Sequence, residues 1–173
     1  FIVGKNNPLN SFYKIQRSLK LNSSSTEYNY ENGTAFIYKR KKIKILGFYS
    51  INKLQGTIEN DTIRSLKQDG LFRTNSEIAY KNQSHYQLIG NSVHYQFHKT
   101  TIAFNTLKTS FSKPYQPFPN YYNTNYSMYK LWNNSINYRF FDGDKIVKGE
   151  VAMDQNGNLA TTHFLVFKLT DAY

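Results

Sequence analysis

The sequence predicts an all-β fold: an antiparallel sheet of about ten strands that closes on itself as a barrel, with a short helix near the N-terminus. Three observations carry this reading. Apolar and aromatic residues alternate with polar ones over short runs, turn residues recur at intervals of about 8–15 residues, and no long segment keeps helical spacing. Fifteen Tyr and thirteen Phe suit strands, and nine Gly with four Pro leave little room for disorder. A barrel is favoured over an open sheet because each strand has a close sequential neighbour and closure removes the edges.

Near the start, Phe12, Ile15 and Leu19 follow Asn10 and Ser11 at helical spacing, which predicts a short helix running into a strand. Ser23 to Thr26 and Glu31-Asn32-Gly33 are turn chemistry flanking the alternating Tyr28 and Tyr30, a hairpin. Ala35 and Ile37, then Ile43, Ile45, Leu46 and Phe48, form two strands around Arg40-Lys41-Lys42. Thr57 to Ile63 reads as polar turn residues, and Gln68-Asp69-Gly70 as a turn. Glu77 to Tyr80, His85 to Ile89, Val93 to Phe97 and Thr100 to Phe104 are strand-like. Residues 112–125 hold three of the four prolines and read as the one long loop. Leu131 to Phe141, Ile146 to Met153 and Leu159 to Leu169 complete the strands. Asp142-Gly143-Asp144 and Gln155-Asn156-Gly157-Asn158 are their turns, the latter with the Asn-Gly hairpin signal.

A length of 173 residues, 39% of them apolar, suits one packed domain spanning 1–173. The excess of 22 Lys+Arg over 11 Asp+Glu, a net +11, points to an acidic or anionic partner. The absence of cysteine excludes disulfides, thiolate metal sites and cysteine catalysis. No apolar run approaches the roughly 20 residues of a membrane-spanning helix, so a soluble protein without a membrane span is expected. The opening FIVGKNNPLN lacks the apolar stretch of a signal peptide, and a start at Phe1 without Met fits a leader already removed.

Catalytic motifs are scarce. His94 and His98 are four apart, a metal spacing only on a helix; on a strand they lie about 13 Å apart, so no metal site is expected. No glycine-rich phosphate loop can be assembled. Asp142, Asp144, Glu150 and Asp154 fall mostly in turns and read as solvated carboxylates. Lys39 to Lys44, with Tyr38, Phe48 and Tyr49 among them, offers phosphate contacts and stacking surfaces, which keeps nucleic acid as a less favoured partner.

Trp132-Asn133-Asn134-Ser135-Ile136-Asn137-Tyr138-Arg139 has the pattern W-x-x-S-x-N-x-R. It resembles a conserved segment of the S-type phycobiliprotein chromophore lyases, lipocalin-like barrels that carry bilins. Tyr13 to Ser18 is similar to that family's W-x-S-Q-R-T, Glu31-Asn32-Gly33 to the acidic-Gly turn after it, and Gly157 to Phe164 to its closing strand. The resemblance implies a lipocalin-like barrel that binds an open-chain phycobilin (phycocyanobilin or phycoerythrobilin) transiently and without metal. It would deliver the pigment to a cysteine of a phycobiliprotein subunit, in a plastid stroma or a cyanobacterial cytoplasm. It implies Arg17 and Arg139 as partners of the propionates, with Ser135 and Asn137 as hydrogen-bonding groups. Trp132 would line the cavity, and Gln16 would belong to the same site. The family's second arginine is Phe141 here, and the acidic residues before its tryptophan are Met128, Tyr129 and Lys130. The resemblance therefore implies binding more firmly than transfer. Two other readings stand beside it: a non-catalytic linker subunit of a larger photosynthetic assembly, and a basic RNA-binding or ribosome-associated β protein.

Overall fold

The computed structural model describes residues 31–67, 72–117, 127–143 and 145–167. Within them the chain is almost entirely antiparallel sheet. The strands are β1 (Gly33–Arg40), β2 (Ile43–Leu54), β3 (Gly56–Glu59), β4 (Thr62–Leu66), β5 (Ser84–Phe97), β6 (Thr100–Tyr115), β7 (Met128–Asp142), β8 (Lys145–Asp154) and β9 (Leu159–Phe167). One short helix, α1 (Asn75–Ala79), interrupts them. The all-β class predicted from alternation and turn spacing is the class observed. The expected N-terminal helix and the Tyr28–Tyr30 hairpin lie outside the described residues.

Seven strands form one path in the order β1-β2-β5-β6-β7-β8-β9, every neighbour antiparallel. Their ends do not meet: among the described residues, β1 and β9 each have a single neighbour, so closure into a barrel is not seen here. The small hairpin β3–β4 is inserted between β2 and β5 and docks on the end of β6 through a single parallel bridge, Ile63 to Tyr115. A Gln116 N–H to Ile63 carbonyl bond of 3.0 Å fixes that contact. Five of the seven path strands run to ten residues or more, against about 5–6 for a strand of an ordinary globular domain.

Three local differences from the sequence expectation have physical causes. Glu77 to Tyr80, strand-like in composition, belongs to α1 and its C-cap. Thr74 accepts from the Glu77 N–H while the Glu77 carboxylate accepts from the Thr74 N–H, a capping box that outweighs local strand propensity. The N–H groups of Arg73 and Thr74 hold the Glu77 carboxyl below its ordinary range. Thr57 to Ile63 is a hairpin, its turn made by Asn60 and Asp61, both in the left-handed region. Residues 112–115, assigned to the long loop, continue β6; Pro114 fits there because the β6–β7 ladder lapses between Ser110 and Tyr115, where no N–H is required.

The core is small. Leu46, Leu54, Ile63 and Ala103 are the buried apolar side chains among the described residues, with Ile63 only 1% exposed. Ile63→Ala should cost about 2–5 kcal/mol through lost burial and the cavity left behind. Urea unfolding of the purified protein should show a lowered midpoint with an unchanged slope.

Candidate functional site

The candidate functional feature of this molecule is a surface. Register across the seven-strand path fixes which side chains share a face. Tyr38, Ile45, Val93, Phe104, Ile136, Val151 and Thr161 are consecutive partners in one row running across all seven strands. The next residue of each strand points the other way, and that row reads Lys39, Lys44, His94, Ala103, Asn137, Glu150 and Thr162. One face is therefore apolar and aromatic, and the other is mixed: its polar side chains stand beside the buried Leu46, Leu54 and Ala103 and the exposed Ile37 and Phe141.

Among the described residues nothing covers the apolar face. Phe36, Ile43, Val93, Tyr95, Phe104, Ile136 and Leu165 all belong to it, and all are among the exposed large hydrophobics. Two pairs of its polar side chains meet: Thr106 Oγ1 donates to Asn134 Oδ1, and Tyr138 Oη lies 2.9 Å from His163 Nδ1. The latter pair bridges over Gly149. A Cβ there would come within 2.6 Å of the His163 ring nitrogen, so the close crossing depends on glycine. Asn91 is the remaining interruption in the middle of the face.

The apolar band has cationic borders. Arg40 and Lys145 lie on this face at one end of the strands, and Lys108 and Lys130 lie at the other. Along β5 the band runs from Ile89 to Phe97, eight residue steps or about 26 Å at 3.3 Å per residue. Aromatics gather near both borders, Tyr95 and Phe97 at the first and Trp132 and Tyr49 at the second.

On the opposite face, hydrogen-bonding side chains form cross-strand ladders. Ser92 Oγ donates to Asn105 Oδ1 at 2.5 Å, Asn105 Nδ2 donates to Ser135 Oγ at 3.0 Å, and Ser92 Oγ lies 2.8 Å from His94 Nε2. Nearer the other end, Glu31 accepts from Ser50 Oγ at 2.6 Å and Tyr86 Oη at 2.7 Å, and from Asn52 Nδ2. Glu31, Asn52 and Tyr86 border a wide cleft of about 1200 Å³, lined also by Leu88 and Phe111 and, from the other face, by Tyr49 and Ile51.

The residues singled out from sequence divide unequally. Ser135, Asn137 and Arg139 occupy alternate positions of β7 and share the polar face, where the Arg139 guanidinium lies 6.0 Å from the Phe141 ring centroid. Trp132 is an odd number of residues away, sits on the apolar face and is 52% exposed, so it lines no cavity with them. Gln16 and Arg17 lie outside the described residues. Asp144 lies outside the described residues, and the other three carboxylates do not converge. Asp142 pairs with Lys99 in the structure's short-turn end, Glu150 sits mid-strand opposite Asn137, and Asp154 caps the far turn, accepting from the Asn156 and Asn158 N–H groups at 2.8 and 2.9 Å.

Comparison with known proteins finds no matching protein-family profile, no similar curated protein and no similar solved structure. No helix among the described residues is long and apolar enough to cross a membrane.

Asn105→Ala removes the centre of the Ser92–Asn105–Ser135 ladder. It should lower stability by about 1 kcal/mol, while Thr101→Ala on the same face, outside the ladder, should change it by less than about 0.5 kcal/mol. Denaturant midpoints of the two variants provide the comparison.

Proposed function

We propose that the seven-strand path is the wall of a membrane-spanning β-barrel, with its apolar face against lipid and its polar face toward an aqueous interior. The observation that carries this reading is the row of six apolar side chains and one threonine crossing all seven strands on a face that nothing in the described residues covers. A water-soluble protein rarely leaves so wide an apolar surface bare, whereas lipid makes it the favourable state.

Strand length, polarity and connection pattern support the same reading. A strand crossing a bilayer at a tilt needs about 9–11 residues; β2, β5, β6, β7, β8 and β9 have 12, 14, 16, 15, 10 and 9, and the edge strand β1 has 8. The connections β1–β2, β5–β6 and β7–β8 span two residues each at one end; at the other, β8–β9 spans four, and β2–β5 and β6–β7 are long. Short turns on one side and longer loops on the other are usual in outer-membrane barrels. At a tilt near 40° the 26 Å band spans about 20 Å of bilayer, and the aromatic and lysine borders supply the interfacial layers. In such a setting the outer edges of β1 and β9 must be paired, because each unpaired peptide group in hydrocarbon costs several kcal/mol.

The test is depth-resolved quenching after reconstitution into phosphatidylcholine vesicles. Single-cysteine variants at Val93, Phe104 and Ile136, labelled with an environment-sensitive dye, should be quenched by lipids brominated in the acyl chains. Labels at Ser92, Asn105 and Ser135 should respond to aqueous iodide instead. Equal responses on the two faces, or a protein that stays in solution as a dimer with the first set shielded, would overturn the reading. Ile136→Arg should destabilise the inserted protein by about 2–4 kcal/mol, and the luminal Asn137→Arg by far less.

A second reading, bilin carriage by a member of the lyase family, is supported by the placement of Ser135, Asn137 and Arg139 on one face of β7. As a proposal it requires a saturable change in the phycocyanobilin or phycoerythrobilin spectrum on titration with the protein, weakened by Arg139→Ala. An unchanged spectrum with both pigments would remove it.

A further inference from the structure

The cations at the short-turn end have no role in a passive wall. Resting on the membrane reading above, we infer that this end is a binding rim for the phosphate groups of anionic lipids. The β1–β2 hairpin places Lys39, Arg40, Lys41, Lys42 and Lys44 within six residues, and among the described residues none of them lies within ion-pair distance of a carboxylate. At that end, among the described residues, Asp142 is occupied by Lys99.

Position separates this cluster from a merely solvated tip. Arg40 is in register with Ile43, which is in register with Tyr95, so its side chain projects from the apolar face at the edge of the band. Lys42 lies 5.7 Å from the centroid of the Phe97 ring, a cation over a lipid-facing aromatic. The Gln96 N–H donates to the Lys42 carbonyl at 2.8 Å and ties the hairpin tip to β5. Lys41 is held in the left-handed region, at φ 46°, so the tip has a defined conformation despite its lack of glycine. Arg40 and Lys42 thus stand together just above the hydrocarbon-facing side chains of three adjacent strands, at the depth where lipid phosphates lie. A guanidinium there can take a phosphate through two parallel hydrogen bonds, and an ammonium can add a point charge.

The partner is a lipid head group in preference to a free phosphate, because Arg40 and Lys42 share the band's lipid-facing side and border its aromatics, while Lys39 and Lys44 project from the other face. The opposite border has Lys108 and Lys130 on the same face but set singly on neighbouring strands, which makes them the internal control.

The experiment reconstitutes the wild type, R40Q/K42Q and K108Q/K130Q into nanodiscs of phosphatidylcholine containing one quarter phosphatidylglycerol. The lipids retained on detergent release are measured by native mass spectrometry. The wild type should retain phosphatidylglycerol in preference to phosphatidylcholine. R40Q/K42Q should lose that preference by about fivefold per charge removed, and K108Q/K130Q should retain most of it. Equal retention by R40Q/K42Q and wild type would overturn the rim. Saturable binding of inorganic phosphate in pure phosphatidylcholine nanodiscs, abolished by R40Q/K42Q and matching the phosphatidylglycerol effect, would overturn the lipid assignment. Circular dichroism confirms that each variant keeps its sheet. Failure of the wild type to insert at all would overturn the membrane reading itself, an outcome distinct from insertion without lipid preference.

Discussion

Everything distinctive about this molecule depends on the antiparallel register shared by the seven path strands. From Gly33 opposite Ser50 to Met153 opposite Leu159, the backbone ladders hold seven strands so that the alternation of one strand falls in phase with that of the next. A slip of one residue between β5 and β6 would bring Ser92, Asn105's present partner, onto the same face as Phe104 and scatter polar groups through the apolar band. The cross-strand bonds Ser92–Asn105–Ser135 on one face and Thr106–Asn134 on the other oppose such a slip, since each is made only in the observed register.

The sheet has an unusual division of labour between its faces. Most antiparallel sheets bury the apolar face against a helix or a second sheet and leave the polar face to water. Here α1 is five residues long with no buried side chain, and β3–β4 docks on the end of β6, so neither covers the band. Glycine and aromatics meet on this face as well: the Phe36 ring lies over Gly47, its partner across the ladder, where no side chain would fit beneath it. Lipid as the covering phase accounts for bare apolar side chains, long strands, cationic borders and asymmetric connections with one physical cause. A phosphate-binding rim would extend that logic to the charge, because it gives the excess of cations a partner suited to their location.

Much of this was legible in the sequence. The strands on either side of Arg40-Lys41-Lys42, those flanking Asp142-Gly143-Asp144, and the Asn156-Gly157 hairpin all announce themselves by alternation and turn chemistry. The separation of Trp132 from Ser135, Asn137 and Arg139 was also present, as simple parity along a strand, and an eight-residue motif read as a block conceals it. The helix at Asn75–Ala79 had its own signal in Thr74-x-x-Glu77, set against the strand-like Ile78-Ala79-Tyr80. The basic run was visible, but its placement beside Phe97 was not, because that contact joins residues more than fifty apart in the chain.

The sequence by itself determined the class, the turns and the alternation within each strand, since all three are set by residues a few positions apart. Only the tertiary structure decided which face of each strand joins which face of the next, that among the described residues β1 and β9 have one neighbour each, and that the apolar sides coincide in one band that no described residue covers. Those outcomes depend on hydrogen bonds between distant segments. Alternation of period two is identical for an inward and an outward apolar face, so it cannot distinguish a core from a lipid-facing wall.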